Sequence, residues 1–540
     1  MSQNDNLTSQ PDSSSPSTQW EAPWPGSKQM PRWTTGELAP APVFTWRHIP
    51  MMLGPGLVMG AAAVGGGEWL TGPLVTARYG GSLLWLATIS IICQVIYNIE
   101  ISRYTLYTGE PIFTGKFRLL PGPIFWLFMY LVLDMGSFLP YLCSNAAIPL
   151  SALFLGDLPN PQEHRTLLKV VSIGILFLTF LPLIFGGKVY RSLKIIMTFK
   201  LVVVVGFLGI LAIGYSTADT WKEIFSGFVK FGTLPVVTDD PEGPPVMKNF
   251  FVSLFTGSSF PAIDFSMIGM ITAMAAIAGN GGLTNTPISG FTRDQGWGMG
   301  KEVGAIPSII GGRSITLSHV GKVFRVTPES LKRWFGWVNH VQREQFLVWM
   351  PACFLGMALP SMLSVQFLPR GQILKDKWLA AGMTAQGVAD AVGGSLGPAF
   401  WGMTLFCGFL VLSTSALTNI DGALRRWVDL AWTASPVLRK LDTHWIGKIY
   451  FGALMGAGVL GVVLLWFVQG DTLLKVTTMI YNYALGFSSL HVLFVNRTLM
   501  PKELQPSLLR CAGLFFSFLF FTLIAALANI DLLREWMATS

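Results

Sequence analysis

Long hydrophobic stretches, separated by shorter polar segments, repeat along most of the chain. A helix needs about 20 mostly apolar residues to cross a hydrocarbon core of about 30 Å, and each stretch is long enough to do so. The pattern therefore predicts an all-α polytopic membrane protein. We assign eleven spans, numbered 1 to 11, to residues 51–79, 82–107, 122–151, 167–187, 195–215, 264–290, 346–367, 394–418, 447–468, 473–495 and 506–530.

Span 1 is interrupted in its middle by Gly65, Gly66, Gly67 and Glu68. Unpaired backbone N–H and C=O groups are costly inside a bilayer, so non-helical backbone persists there only where protein or water surrounds it. Discontinuous helices of this kind form the central solute sites of secondary transporters. Close packing of small residues is the alternative explanation, but three consecutive glycines beside a carboxylate favour a break.

Span 6 carries a second interruption, with Ala278, Gly279, Asn280 and, further on, Pro287. Spans 1 and 6 stand five apart, as the first members of two inverted five-helix repeats would. We therefore expect discontinuous helices in spans 1 and 6. The first repeat is expected over about 49–215, the second over about 264–495, and an additional helix over about 506–530.

Composition and charge agree with a membrane protein. Mean hydropathy is +0.52, and charged residues are only 12 % of the chain. Lys and Arg concentrate before span 1 and after the even-numbered spans, apart from Lys200 inside span 5, which predicts a cytoplasmic N-terminus in a plasma or inner membrane. This asymmetry accounts for most of the net charge of +8, so no nucleic-acid partner is implied.

The segments outside the spans are predicted from their composition. Residues 1–45 are rich in Ser, Pro, Gln and Thr, which predicts a disordered cytoplasmic tail, and residues 531–540 form an extracytoplasmic tail. The cytoplasmic loop 291–345 contains an amphipathic helix that begins at Thr327 and Pro328. We interpret this helix as an anchor on the inner leaflet, with regulation as the alternative.

Several classes of function lack their chemistry in this sequence. No Ser/His/Asp, His-Glu-x-x-His or phosphate-binding Gly-x-x-x-x-Gly-Lys arrangement appears, so we expect neither an enzyme nor an ATP-driven pump, and no cofactor. The five cysteines are expected to be buried and reduced. The expected partners are a small inorganic ion or solute and the lipid bilayer, and nothing identifies a protein partner.

Several short motifs resemble the Nramp (natural resistance-associated macrophage protein) divalent-metal transporters, which have the LeuT-like fold. The resemblance covers roughly residues 45 to 530, and shared order and spacing carry it more than any single motif. The motifs are Gly54-Pro55-Gly56, Leu83-Leu84-Trp85, Arg103 to Glu110, Asp134-Met135, Gly187 to Lys194, Leu396 to Ala399 and Ser413-Thr414-Ser415.

The chain departs from this family at the metal site. The family's first break reads Asp-Pro-Gly-Asn, and aligning the glycines places Gly65, Gly66, Gly67 and Glu68 at these four positions. The principal carboxylate is thereby displaced by three residues. The family's methionine and Pro-His in helix 6 are replaced by Ala278, Gly279 and Asn280, which removes the sulfur ligand that favours transition metals and a histidine that serves proton movement.

Glu68 is the central functional candidate, because an ionisable residue inside a span is usually functional. Together with Asn280 and freed carbonyl groups it forms an oxygen-rich metal site suited to Mg²⁺ or Mn²⁺, and it is also a candidate proton carrier. Capping the second half-helix of span 1 is a compatible role. The resemblance makes Asp134 the candidate for proton release, with a structural hydrogen-bonding role as the alternative.

The sequence thus predicts a secondary transporter that moves a divalent cation by alternating access, and the resemblance implies that a proton gradient drives it. Residues 65–68 and 278–280 line its substrate site. A second hypothesis stays open. If Glu68 is neutralised by Arg or by a cap, the half-helix N-termini favour an anion or a small organic acid instead.

Overall fold

The computed structural model describes residues 20–43, 45, 65–184, 189–240, 243–257, 260–303, 320–371, 377–440 and 444–539. Within these ranges nine helices are long and apolar enough to cross a membrane, and they correspond to spans 2–5 and 7–11. The predicted all-α polytopic fold is confirmed. The first half of span 1, residues 51–64, lies outside the described residues.

The helices of the first half of the chain follow the order of spans 1 to 5. Span 1 contains α1 (Gly66–Tyr79), and span 2 is α2 (Trp85–Thr108). The short helix α3 (Ile112–Arg118) connects span 2 to span 3, which contains α4 (Pro123–Leu133) and α5 (Tyr141–Leu155). Span 4 is α6 (Arg165–Ile184), and span 5 is α7 (Val189–Gly214). Two short helices follow, α8 (Ala218–Gly227) and α9 (Phe250–Thr256).

The second half of the chain continues the same pattern. Span 6 contains α10 (Ile268–Ile277) and α11 (Pro287–Asp294), and the short helix α12 (Gly300–Val303) follows it. Span 7 contains α13 (Pro328–Glu344) and α14 (Met350–Phe367), and α15 (Ala385–Val392) precedes span 8, which is α16 (Gly397–Ala434). Spans 9 to 11 are α17 (His444–Phe467), α18 (Gly470–Leu499) and α19 (Leu508–Thr539).

Four short strands form two small sheets outside the spans. β1 (Thr34–Thr35) pairs in parallel with β4 (Lys322–Val323), and β2 (Thr233–Val236) pairs antiparallel with β3 (Val246–Asn249).

Burial separates the central from the peripheral spans. The most apolar window of span 2 is 83 % buried, whereas those of spans 5 and 9 are each 28 % buried. Helices exposed to lipid keep an apolar surface because lipid chains are as apolar as their side chains. Span 2 therefore lies in the interior of the bundle, next to the interrupted spans.

Span 3 is discontinuous, which the sequence analysis did not predict. α4 ends at Leu133, a 3₁₀ turn covers Met135–Phe138, and α5 begins at Tyr141. Pro140 precedes α5 and lacks the N–H that would continue the helical ladder. Asp134 lies at this interruption.

The predicted amphipathic helix is present, and it is continuous with the next helix. α13 starts with the predicted cap, in which the backbone N–H of Ser330 donates to Thr327 Oγ1 (3.1 Å). It then continues through a π-helical turn, Gln345–Trp349, into α14, because no helix-breaking residue separates them. Trp334 and Trp337 on its apolar face are buried by protein.

Residues 20–43 differ from the disordered tail predicted for residues 1–45. This N-terminal segment packs on one end of the bundle, where β1 pairs with β4. Trp33 is 2 % exposed, and its ring packs against the Arg118 guanidinium at 4.8 Å. The Trp337 indole N–H donates to the carbonyl oxygen of Ala39 (2.8 Å). Buried aromatic contacts outweigh the ordering entropy of this otherwise polar segment. Residues 1–19 lie outside the described residues.

Removing the Trp33 ring tests whether the N-terminal segment contributes to stability. Truncating a buried Trp costs about 3–5 kcal/mol, so Trp33→Ala should lower the thermal unfolding temperature of the purified protein markedly. Trp24→Ala is the matched control, because Trp24 in the same segment is 37 % exposed. Equal unfolding temperatures for the two variants would contradict the packing of this segment.

Candidate functional site

The first break ends where α1 begins. Gly65 precedes the helix in an extended conformation, and the free N–H of Gly66 donates to Ser415 Oγ of span 8 (3.0 Å). This side chain satisfies one of the backbone donors that a helix N-terminus leaves unpaired. Span 8 therefore supports the break directly.

The glycines of the first break also allow close packing. A Cβ atom on Gly67 would lie 2.0 Å from Ile277 Cγ2 in span 6, and one on Gly66 would lie 2.4 Å from Leu142 Cδ2 in span 3. No side chain fits at either position without displacing a neighbour. Close packing, the alternative explanation for these glycines, is therefore observed, and the start of α1 at Gly66 agrees with the predicted position of a break.

The predicted second break lies between the two helices of span 6. α10 ends at Ile277 and α11 starts at Pro287. Gly279 and Gly282 have φ angles of 97° and 62°, a region that favours glycine. The described part of span 6 is thus discontinuous, as predicted.

Gln94 of span 2 satisfies the backbone of the second break. Its Nε2 donates to the carbonyl oxygen of Ala278 (2.7 Å), while its Oε1 accepts from the backbone N–H of Asn280 (2.9 Å) and from Asn285 Nδ2 (2.8 Å). One side-chain amide thereby replaces the helical hydrogen bonds missing on both sides of Gly279. Sequence reasoning missed this residue, although a glutamine inside a span was the available signal.

Glu68 lies between the two breaks. Its side chain is 2 % exposed, and the backbone N–H groups of Gly65, Glu68 and Gly279 face its carboxylate. The carboxylate therefore stabilises the N-terminus of α1 and also contacts the second break. The structure brings together the predicted site residues Gly65 to Glu68 with Ala278 to Asn280.

Lys200 is a second ionisable residue at this centre. It belongs to span 5, is 3 % exposed, and lies close enough to Glu68 for the two charges to influence each other without a direct salt bridge. Lys200 was noticed in the sequence only as an exception to the charge pattern. Its position inside a span was the signal for a functional role.

The described residues do not assemble a conventional metal centre. Within these ranges no three His, Cys, Asp or Glu side chains cluster closely enough to hold an ion. Asn280 lies beside the break, but its Nδ2, which is buried without a protein partner in the described part of the chain, is a donor. Glu68 is thus a lone carboxylate with an ammonium group nearby.

Asp134 forms an ion pair at the interruption of span 3. Arg426 of span 8 donates to both carboxylate oxygens, at 2.7 and 2.8 Å, and the side chains of Ser137 and Trp427 also donate to it. The carboxylate is fully buried. This geometry agrees with the structural alternative raised for Asp134.

Two further membrane carboxylates are also paired. Glu100 accepts from Arg103 Nε at 2.8 Å, and Asp421 accepts from Arg425 at 2.8 Å. The next residue, Arg426, binds Asp134 and not Asp421. These pairs leave Glu68 and Lys200 as the ionisable residues gathered at the breaks.

Comparisons with known proteins give the fold but no family. No model of a known protein family matches the chain. A stretch of 200 residues, 34 % of this chain, is 28 % identical to an uncharacterized protein of Pasteurella multocida, and the chain spans 44 % of that protein's length.

Solved structures of a manganese transporter from Eremococcus coleocola share the architecture. A mutant of it matches with a TM-score of 0.59 at 12 % identity, covering 91 % of this chain and 88 % of the transporter chain. Its complex with an aromatic bis-isothiourea substituted compound matches with a TM-score of 0.53, with the same identity and coverage. At this identity the similarity shows the fold alone, and it agrees with the LeuT-like fold implied by the sequence motifs.

A double mutant tests the contact between the two breaks. Gly67→Ala should destabilise the protein by about 1–3 kcal/mol through overpacking, because its methyl group overlaps Ile277. Adding Ile277→Ala removes the overlapping atoms and should recover part of the loss in thermal unfolding temperature. Gly206→Ala in span 5 is the control, since no atom lies within 4 Å of its added methyl group. Equal effects of Gly67→Ala and Gly206→Ala would refute the contact.

The Asp134 pair is tested by removing one charge at a time. Asp134→Asn leaves a buried guanidinium without its counter-ion, which costs about 3–5 kcal/mol, so the unfolding temperature should fall sharply. The double variant Asp134→Leu/Arg426→Met should lose less than the sum of its single changes. Asp421→Asn is the milder control, because the Arg425 side chain is 30 % exposed. Wild-type stability of Asp134→Asn would contradict the structural role.

Proposed function

We propose that this protein is a secondary transporter that works by alternating access around the two breaks, residues 65–68 and 278–280. Three observations support this function: the fold, the paired discontinuous spans, and the buried ionisable pair between them. Half-helix ends and freed backbone groups at the middle of a bundle are typical of transporter sites. We also propose that the chain is a divergent relative of the Nramp transporters, located in the plasma or inner membrane and without enzymatic activity.

The positive charge of the buried Lys200 near Glu68 is the observation that supports the proposed substrate class. A lone buried carboxylate attracts a cation, but Lys200 already supplies a positive charge inside the protein. A bare divalent ion at Glu68 is repelled by this ammonium group. We therefore propose a small anion or a small carboxylated solute as the substrate, bound near Lys200 and the N-terminal end of α1.

The same pair provides a simple route for proton coupling. With Glu68 ionised and Lys200 charged, the pair is neutral. When Glu68 takes up a proton, the pair has a net charge of one and attracts an anion. The site loaded with both proton and anion is again neutral, which lowers the cost of carrying the anion through a low-dielectric bundle.

A divalent cation remains the second candidate. Glu68 and the carbonyl groups at the breaks offer hard oxygen ligands, and a manganese transporter is among the solved structures that share this fold. In this case Lys200 has to lose its proton or move away when the ion binds. The two candidates therefore predict opposite effects of removing the Lys200 charge.

Ligand-induced thermal stabilisation of two charge variants distinguishes the candidates. Mg²⁺, Mn²⁺, small inorganic anions and small carboxylates are titrated at acidic and alkaline pH against the full-length wild type, Glu68→Gln and Lys200→Met. A ligand at one hundred times its Kd adds about 2.7 kcal/mol of stability, which is measurable. Lys448→Met is the control, because this lysine is exposed at the start of span 9.

If the protein carries an anion, addition of that anion should raise the unfolding temperature of the wild type. Lys200→Met should abolish that response, and Glu68→Gln should retain it but lose its dependence on pH. If the protein carries a metal ion instead, Glu68→Gln should no longer be stabilised by the ion, and Lys200→Met should bind the ion more tightly than the wild type does. No stabilisation by any ligand, together with no solute uptake by proteoliposomes, would contradict both candidates.

A further inference from the structure

A row of polar side chains lies on one face of span 2. Ser90, Gln94, Asn98 and Ser102 recur at every fourth residue of this helix, which places them on the same face, and all four are fully buried. We call these four residues the polar row. It begins at the second break, where Gln94 binds the backbone, and extends toward the end of the bundle covered by the N-terminal segment.

The polar row is linked to a buried carboxylate in span 7. Asn98 Nδ2 donates to Gln345 Oε1 (2.9 Å), and Gln345 Nε2 donates to Glu344 Oε2 (2.5 Å). Glu344 is only 4 % exposed. In the described ranges the Gln345 amide is its one hydrogen-bond partner, and no ion pair includes it. A buried carboxylate without a counter-ion is costly and is a candidate for function.

The π-helical turn of span 7 positions this link. It begins at Gln345, which faces span 2, and ends at Trp349, whose ring would lie 3.1 Å from a Cβ atom on Gly279. Single π-helical turns are rare and occur frequently at functional sites. The turn thus connects the second break with Glu344 along a second path, parallel to the polar row.

Four buried polar atoms in this region have no protein partner within the described part of the chain. Two are acceptors, Asn98 Oδ1 and Asn285 Oδ1, and two are donors, Asn280 Nδ2 and Trp349 Nε1. Buried polar atoms in native proteins are normally bonded to protein or ordered water. Two donors and two acceptors suit water molecules, which bond to both kinds of atom. Such waters carry protons, whereas side-chain amides only hold the waters in place.

We propose that the polar row is a proton path and that Glu344 receives the proton released by Glu68. The protonated Glu68 carboxyl loses its proton to the bound waters, and the Glu344 carboxylate gains one, so no other reactant is needed. Glu344 then releases the proton into the cleft that it lines with Ser102, Thr292 and Trp297, on the predicted cytoplasmic side.

The neighbouring charges leave Glu344 available for this role. Arg103 is bound to Glu100 at 2.8 Å and Arg293 to Asp294 at 3.1 Å. On the helix that carries Glu344, the His340 ring contacts Trp297 edge-on, with centroids 4.6 Å apart, and Arg343 interacts with His340. Arg103 and Arg293 thus pair with other carboxylates and not with Glu344.

Protonation of Glu344 is tested without any substrate. Infrared difference spectra of the full-length protein in lipid, recorded between alkaline and acidic pH, should show a carbonyl band of a buried protonated carboxyl group that Glu344→Gln removes. Glu329→Gln is the control, because the Glu329 side chain is 75 % exposed on the same helix. Glu344→Asp should keep a shifted band, which checks that the loss is not caused by misfolding. An unchanged band in Glu344→Gln would overturn the proposal.

The direction of proton movement rests on the proposed transport function and needs a second experiment. In proteoliposomes, Glu344→Gln and Asn98→Leu should lose accumulation of solute driven by a pH gradient but keep solute exchange at equal pH on both sides. Intact pH-driven accumulation in both variants would overturn the path. If the wild type transports no solute at all, the proposed function fails, while the infrared result still decides whether Glu344 binds a proton.

Discussion

The side chain of Gln94 satisfies the constraint on which the centre of this protein depends. A bilayer offers no water to an interrupted helix, so the backbone exposed by a break needs partners within the protein. Gln94 supplies a donor for the carbonyl oxygen of Ala278 and an acceptor for the N–H of Asn280. Because this residue belongs to span 2, the most buried spanning helix among the described residues, the break is held by the interior of the bundle.

The first break depends on different neighbours. Ser415 binds the N–H of Gly66, and Gly67 leaves room for Ile277 at the end of the first helix of span 6. Spans 2 and 8 thus hold one break each, and the two breaks contact each other through a glycine. Because Gly67 and Ile277 are in contact, a displacement at one break is transmitted to the other, as the proposed alternating-access mechanism requires.

The nine long spans of the described residues and the break in span 6 were predictable because both follow from local rules, helical length and backbone satisfaction. The partners of the charged residues were not. Asp134 and Arg426 are 292 positions apart, and no periodicity relates Lys200 to Glu68. The interruption of span 3 was missed because its apolar composition is uniform enough to hide the effect of Pro140. The packing of residues 20–43 was missed because a few tryptophans, not overall composition, determine it.

The N-terminal segment has a consequence for biosynthesis. Residues 20–43 are made before any span, but the groups that bind them are made later: Arg118 after span 2, Val323 after span 6, and Trp337 at the start of span 7. Chains are synthesised from the N-terminus at about 5–20 residues per second, so the segment lacks all of these partners while spans 1 and 2 are made, and it lacks Val323 and Trp337 until six spans have been made. Its docking is therefore a late event in assembly, because it requires that the first and second halves of the bundle are already packed together.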